Sequence, residues 1–307
     1  MVGLSLIISA SSSLRGAYLR GKNAFGRLSL ASLISALAKL GASLALVLMG
    51  FGTAGAISGL LAASVITWVY TRESARRLGL HTPRETRWWR LPNLSLIRPQ
   101  LPFAGLVLIV SIVTTAFFSI DVVLAKHYFS AQVAGEYAGI ATVGRIIYFV
   151  TGSVAAVLLS AIQLQASKRH NRGLLLRSVA LTVVLGGGVL VALAVAPRFF
   201  IGLLIGQRYL PLAGLLPKLS LTLFLISIIN LFFSYDVALR RWSIALISIF
   251  GASVTVLFIL LHHATPSAMV DSLLAGASVL LAVRAVDSLR RNWPWRRANQ
   301  LAQSEQR

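Results

Sequence analysis

The sequence predicts an all-α fold, a polytopic bundle of transmembrane helices, on three observations. Hydrophobic residues make up 57% of the 307 and charged residues only 12%, about half the charged share of an ordinary soluble domain. The apolar residues fall into eight runs long enough to cross a bilayer, which takes about 20 residues. The lysines and arginines gather in every second connection between those runs, as they do in membrane proteins that keep positive loops in the cytoplasm.

Taken in order, the spans are expected at 28–49, 53–71, 102–124, 135–163, 178–197, 212–235, 242–262 and 268–286. A ninth apolar run, Val2 to Leu14, is too short for a full span and is followed, not preceded, by Arg15, Arg20, Lys22 and Arg27. That order is wrong for a signal peptide, so the run reads as the end of a helix whose beginning is missing. About eight full spans and a partial N-terminal one result. Residues 50–55 spell GFGTAG, which has dinucleotide-site spacing but neither the preceding strand nor the soluble helix such a site needs. It reads as a tight turn, and Gly55 with Gly59 as a small-residue pair for close helix packing.

Threading the chain through the membrane places 14–27, 72–101, 164–177, 236–241 and 287–307 on one side. With Arg284 they carry 23 of the 29 lysines and arginines. That side is the expected cytoplasm, with the C-terminus in it. The organisation expected is a first helical portion over 1–71, a basic cytoplasmic linker over 72–101, a six-span bundle over 102–286 and a basic tail over 287–307. A net charge of +21 would suggest nucleic acid in a soluble protein. Here topology accounts for it, and Trp88, Trp89, Trp293 and Trp295 among the arginines read as interfacial anchors. No nucleic-acid partner is expected.

Signatures of catalysis are missing: the sequence has no HExxH, Walker A, GxSxG or paired DxD string, and no cysteine. No enzyme activity, metal or cofactor is expected. His262 and His263 are adjacent at a span end and read as loop residues. Asp236 and Arg240 have the spacing of a helical i,i+4 pair.

Charges inside spans carry more information, because each is costly at membrane depth. Lys39 lies midway along its span with Ser32, Ser35 and Ser43 on the same helical face. Arg145 shares a face with Tyr137, Ala141, Gly144, Tyr148 and Gly152, while Ile140, Val143, Ile147, Val150 and Val154 form an opposite face suited to lipid. Blander readings stand beside these: Arg145 pairs with Asp121 or Glu136, and Lys39 bonds nearby carbonyls. Lys218, next to Pro217, either joins the cationic set or marks a kink. Asp121, Asp236 and Asp271 lie near span ends, so the deepest charges are basic. A cavity lined this way favours an anionic substrate, with phosphate as the commonest group.

The stretch Ser119–Ile162, SIDVVLAKHYFSAQVAGEYAGIATVGRIIYFVTGSVAAVLLSAI, resembles the bacterial polysaccharide flippases, which share a superfamily with lipid II flippases and multidrug exporters. The pattern is a span ending in Ile-Asp, then Lys-His, a short turn, Gly-x-Tyr, and a span with Gly-Arg. Upstream, Leu14–Gly59 resembles that family's fourth-to-fifth span junction. The resemblance implies two six-span halves around a central cavity, with Phe103–Val286 as the second half and 1–71 as a remnant of the first, as though N-terminally truncated. It implies movement of undecaprenyl-pyrophosphate-linked oligosaccharide across the bacterial inner membrane by alternating access. Lys39 and Arg145 would then hold the pyrophosphate, and Lys126, His127, Arg208 and Lys218 would receive the headgroup nearer the outer face. Ser35, Ser43, Tyr137, Tyr148 and Asp121 would line the polar faces. Membrane lipids and other polysaccharide-assembly proteins are the further partners expected. Three other readings are a cation-coupled exporter, disfavoured by the lack of deep carboxylates; a polymerase or ligase, disfavoured by external connections of about 14 residues at most; and a nonfunctional fragment.

Overall fold

The computed structural model describes residues 2–22, 24–79, 98–163 and 165–292. Trp88, Trp89, Trp293 and Trp295, most of the expected linker, and the tail beyond Asn292 lie outside the described residues. Those described are helical almost throughout, with no strand among them. They divide into two compact units, Met1–Pro92 and Asn93–Arg307.

The first unit holds α1 (Val2–Gly21), α2 (Phe25–Leu46) and α3 (Gly52–Arg77). The apolar run at the N-terminus ends at Leu14, but the helix that carries it does not. The helix continues through Arg15 to Gly21, about 30 Å at 1.5 Å per residue. Residues 26–77 are one long apolar helical stretch by length and composition, yet they fold as a hairpin. Arg27 Nη1 donates to the Ser74 carbonyl at 3.0 Å, and Ser43 Oγ to the Ala56 carbonyl at 3.1 Å. Pairs that converge on residue 50 in this way can only be antiparallel. The reversal lies in GFGTAG, where Gly50 (φ 90°) and Gly52 (φ 54°) take backbone angles that side chains disfavour. Gly59 then lets α2 and α3 meet, since a Cβ there would overlap Ser43, and one on Gly55 would lie 2.9 Å from Phe51 Cβ. By contrast α1 runs parallel to α3, with contacts at Ser9–Ser64, Ser11–Trp68 and Tyr18–Leu78.

The second unit holds α4 (Leu101–Tyr128), α5 (Ala131–Gly144), α6 (Ile146–Ala161), α7 (Lys168–Val195), α8 (Pro197–Leu204), α9 (Leu216–Ala238), α10 (Ser243–Leu261) and α11 (Pro266–Asn292). Two N-termini are closed by serine caps: Ser130 Oγ accepts from the Val133 amide and Ser167 Oγ from the His170 amide. The expected span 135–163 is divided. α5 and α6 meet at Arg145 with a bend of 41°, and at the bend Gly144 packs so tightly on α9 that a Cβ would lie 2.9 Å from Leu223 Cδ1. The connection between the expected spans 178–197 and 212–235 is formed by α8 and a 3-10 stretch, Gln207–Leu215, whose Tyr209 packs on Gly139. With the hairpin resolved and α5–α6 taken as one bent span, eight candidate spans result among the described residues: α2, α3, α4, α5–α6, α7, α9, α10 and α11. α1 is additional.

α9 is the central helix of this unit, and buries Leu219, Leu223, Ile226 and Phe233 against α4, α5, α6, α7 and α11. Ile140, Val143, Ile147 and Val154 are at most 7% exposed. Only Val150 of this face is open, at 36% exposed, so the expectation that the face meets lipid holds there and fails at the other four positions. In a membrane both lipid and core are apolar, so hydrophobicity cannot tell the two faces apart, and the bend at Arg145 turns the faces of α5 and α6 relative to each other. Leu108, Ile112, Val184, Val191 and Leu246 are among the large side chains left open on the outside. This is a multi-pass membrane protein.

Candidate functional site

In the first unit α1 and α2 diverge above α3 and leave a polar groove of about 430 Å³. α1 lines it with Ser12, Ser13 and Arg20, α2 with Ser32, Ser35 and Lys39, and α3 with Thr67 and Thr71. The hydroxyls of Ser12, Ser13, Ser32, Thr67 and Thr71 donate to carbonyls of their own helices, which leaves only acceptor lone pairs turned outward. The donors available to a ligand are thus Lys39, Arg20 and Ser35, none of which has a hydrogen bond or ion pair among the described residues. Gly16 of α1 meets Leu28 of α2, and from that level to Lys39 the groove runs roughly 16 Å along α2 at 1.5 Å per residue, with Arg20 a further turn towards the α1–α2 connection. The groove therefore reaches from one rim of the unit to mid-span. Leu33, Leu37, Leu40 and Leu44, all over half exposed, form the apolar face of α2 beside it.

Ser43 does not belong to this groove. It lies one turn beyond Lys39, but its hydroxyl is taken by the Ala56 carbonyl and its backbone packs on Gly59. Of the three serines predicted to share this face, Ser32 and Ser35 line the groove and Ser43 makes a helix–helix contact.

Arg145 is in the second unit and is already paired. Its Nη2 donates to the Phe118 carbonyl at 2.8 Å and to Asp121 Oδ1 at 3.1 Å. Its guanidinium lies 4.6 Å from the Phe118 ring centroid. The Tyr137 hydroxyl donates to the other oxygen, Asp121 Oδ2, at 3.2 Å, and Tyr148 packs on Phe118 at 4.8 Å. Asp121 is 6% exposed and Tyr137 1%. Of the two partners considered for Arg145, the structure selects Asp121; Glu136 accepts from Gln132 instead. The arginine is drawn to the point where the span bends, so the pair fixes α4 against the α5–α6 break. Tyr137 and Asp121 are brought together with Arg145 as a buried triad, and Lys39 stands in the other unit.

The remaining cations are exposed at helix ends. Lys126 and His127 close α4, and the His127 ring meets Tyr128 edge-on, with Tyr128 stacked on His263 at 4.0 Å. Arg208 is exposed on the 3-10 stretch. Lys218, in the first turn of α9, pairs with Asp271 at 2.9 Å, both about half exposed. The kink considered for Lys218 is absent, since Pro217 sits at the start of α9, where a proline is tolerated.

A second buried ionic cluster was not legible in the sequence. Asp236 takes Arg284 at 2.7 Å and Arg241 at 2.9 Å, and not Arg240 as the i,i+4 spacing suggested. α9 ends at Ala238, and Arg240 adopts φ 52° with its guanidinium over the Phe103 ring. Asp236 and Arg284 are 2% and 3% exposed. Of the three aspartates near span ends, Asp121 and Asp236 are buried and paired with arginine, and Asp271 is half exposed and paired with Lys218, so each carboxylate already has a cationic partner. The signal available in the sequence was only that Arg284 lies in an apolar run, 48 positions from its partner.

Residues 1–214 match the family described as polysaccharide biosynthesis protein. The matched region contains the whole first unit with its Lys39 groove and the Arg145–Asp121–Tyr137 triad. No curated protein and no solved structure matches the chain. This multi-pass helical chain belongs to the polysaccharide biosynthesis protein family.

Proposed function

We propose that the protein is a flippase of the bacterial inner membrane that moves undecaprenyl-pyrophosphate-linked oligosaccharide outward for surface polysaccharide assembly. It does so by alternating access and forms no covalent intermediate. The observation that carries this reading is the Lys39 groove: two cations and a hydroxyl without partners among the described residues, arranged from a membrane rim to mid-span. An unpaired ammonium at that depth is costly unless something anionic or water-filled faces it, and a pyrophosphate is such a group. The lipid tail stays in the bilayer beside the Leu33–Leu44 face. Lys126, His127 and Arg208, at the opposite end by charge distribution, receive the headgroup as it emerges. Arg145 holds α4 to the bent span and positions the pathway, because its charge is balanced by Asp121. The basic connections lie in the cytoplasm, as does the C-terminus, and the other polysaccharide-assembly proteins are its partners.

Deleting the gene in the source organism tests the reading. Lipid-linked oligosaccharide should accumulate with its sugars inaccessible from outside the inner membrane, and surface polysaccharide should fall. Normal pools together with normal surface polysaccharide would remove the proposal.

A further inference from the structure

A second groove lies wholly within the other unit, and its chemistry differs from that around Lys39. It is lined by Val107, Val110, Ser111, Thr114 and Thr115 of α4, Leu159 of α6, and Asn230, Phe233, Ser234 and Val237 of α9. The α4 positions recur at i, i+3, i+4, i+7 and i+8, and the α9 positions at i, i+3, i+4 and i+7. Each set is therefore one face of its helix, and the two faces meet. No charged residue lines the groove.

What the polar side chains lack is partners. Thr114 donates to the Val110 carbonyl. Ser111, Thr115, Asn230 and Ser234 make no hydrogen bond among the described residues. Asn230 stands eight residues before the end of α9, two turns inside the span, with its whole carboxamide, two donors and one oxygen, uncommitted. A free carboxamide and three free hydroxyls facing hydrocarbon would be left unsatisfied at high cost. They are accounted for if this face meets a polar ligand or the water that precedes it. Ser111 and Thr115 are exposed at the groove's edge beside Leu108 and Ile112, whereas Thr114, Asn230 and Ser234 are partly buried within it.

We infer that this groove is a binding site for neutral sugar units. An amide beside hydroxyls both gives and accepts hydrogen bonds without a charge, which matches the hydroxyls of a sugar ring, and Phe233, Val107 and Val237 supply an apolar wall for its C–H faces. At about 260 Å³ the groove is smaller than a pocket that encloses a drug-sized molecule. It grips part of a ligand whose remainder lies elsewhere. The assignment rests on the flippase reading, in which the transported lipid carries a saccharide.

The test uses the full chain in lipid nanodiscs, titrated with two probes and read by native mass spectrometry. One probe is undecaprenyl pyrophosphate without sugar, and the other is the same lipid carrying a neutral trisaccharide. The wild type should bind the sugar-bearing lipid roughly tenfold more tightly. Asn230→Leu and Thr114→Val should erase that preference without changing affinity for the sugar-free lipid, which also shows that both variants are folded. Asn230→Gln should keep part of it, and Lys39→Gln should weaken both probes alike. Equal affinity of the wild type for the two probes, or a preference that survives Asn230→Leu, overturns the saccharide site and leaves pyrophosphate recognition standing. Failure of the wild type to bind either probe removes the flippase reading and this inference with it.

Discussion

Replacing Asp121 with asparagine strips Arg145 of its counter-charge inside the bundle. The carboxylate is 6% exposed, and its oxygens are divided between the guanidinium at 3.1 Å and the Tyr137 hydroxyl at 3.2 Å. Removing one member of a buried pair costs about 3–5 kcal/mol, because the other charge is left uncompensated. The lower end applies here. The Arg145 side chain is 16% exposed, and it keeps the Phe118 carbonyl and the ring face. We therefore expect Asp121→Asn to destabilise the protein by about 3 kcal/mol. The double variant Asp121→Asn/Arg145→Gln leaves no charge stranded, so its loss should be smaller, about 1–2 kcal/mol. Denaturant titration of purified protein in mixed micelles, followed by tryptophan fluorescence, gives all four corners of the cycle. A coupling energy under about 0.5 kcal/mol, the level of independent sites, would refute the claim that Asp121 neutralises Arg145.

Other consequences follow from the packing and the charges. Gly59→Leu should destabilise the hairpin by about 3 kcal/mol or more, since even a Cβ overlaps Ser43 and overpacking is costly. Gly41→Leu, with nothing within 4 Å, should change the denaturation midpoint little. Arg284→Met should cost about 3 kcal/mol in the same assay because Asp236 stays buried. Arg241→Gln should cost about 1 kcal/mol or less, its side chain being 35% exposed. The chain has no cysteine, so single cysteines report topology cleanly: Gln207→Cys and Thr265→Cys should react with a membrane-impermeant maleimide from outside intact cells, and Arg172→Cys only after lysis.

The span count, the reversal at GFGTAG and the pairing of Arg145 were legible because each rests on a local or sign-based signal: run length, two adjacent turn glycines, one deep arginine with an acid nearby. The bend at Arg145 was not, since α5 and α6 form one unbroken apolar run and the break depends on Gly144 meeting Leu223 of α9. The faces of α5 and α6 were misread for a general reason. Core and lipid are both apolar, so a 3.6-residue pattern marks polar residues but does not say which apolar side is buried. Lys39, Ser32 and Ser35 were correctly grouped by spacing, whereas Ser43 on the same stripe is consumed by α3. Asp236–Arg284 and the Ser111–Asn230 groove join residues 48 or more positions apart, and only the packing of α4, α9 and α11 brings them together.

Transport by the purified protein shows whether it moves the lipid-linked oligosaccharide and whether Lys39 is needed. Proteoliposomes would carry undecaprenyl-pyrophosphate-linked oligosaccharide in both leaflets, and a membrane-impermeant glycosidase would report which molecules reach the outer one. The wild type should deliver the inner pool to the enzyme, and Lys39→Gln should slow delivery at least tenfold while inserting normally. An inner pool that stays protected with the wild type, or is delivered equally fast by Lys39→Gln, would contradict the flippase reading built on the Lys39 groove.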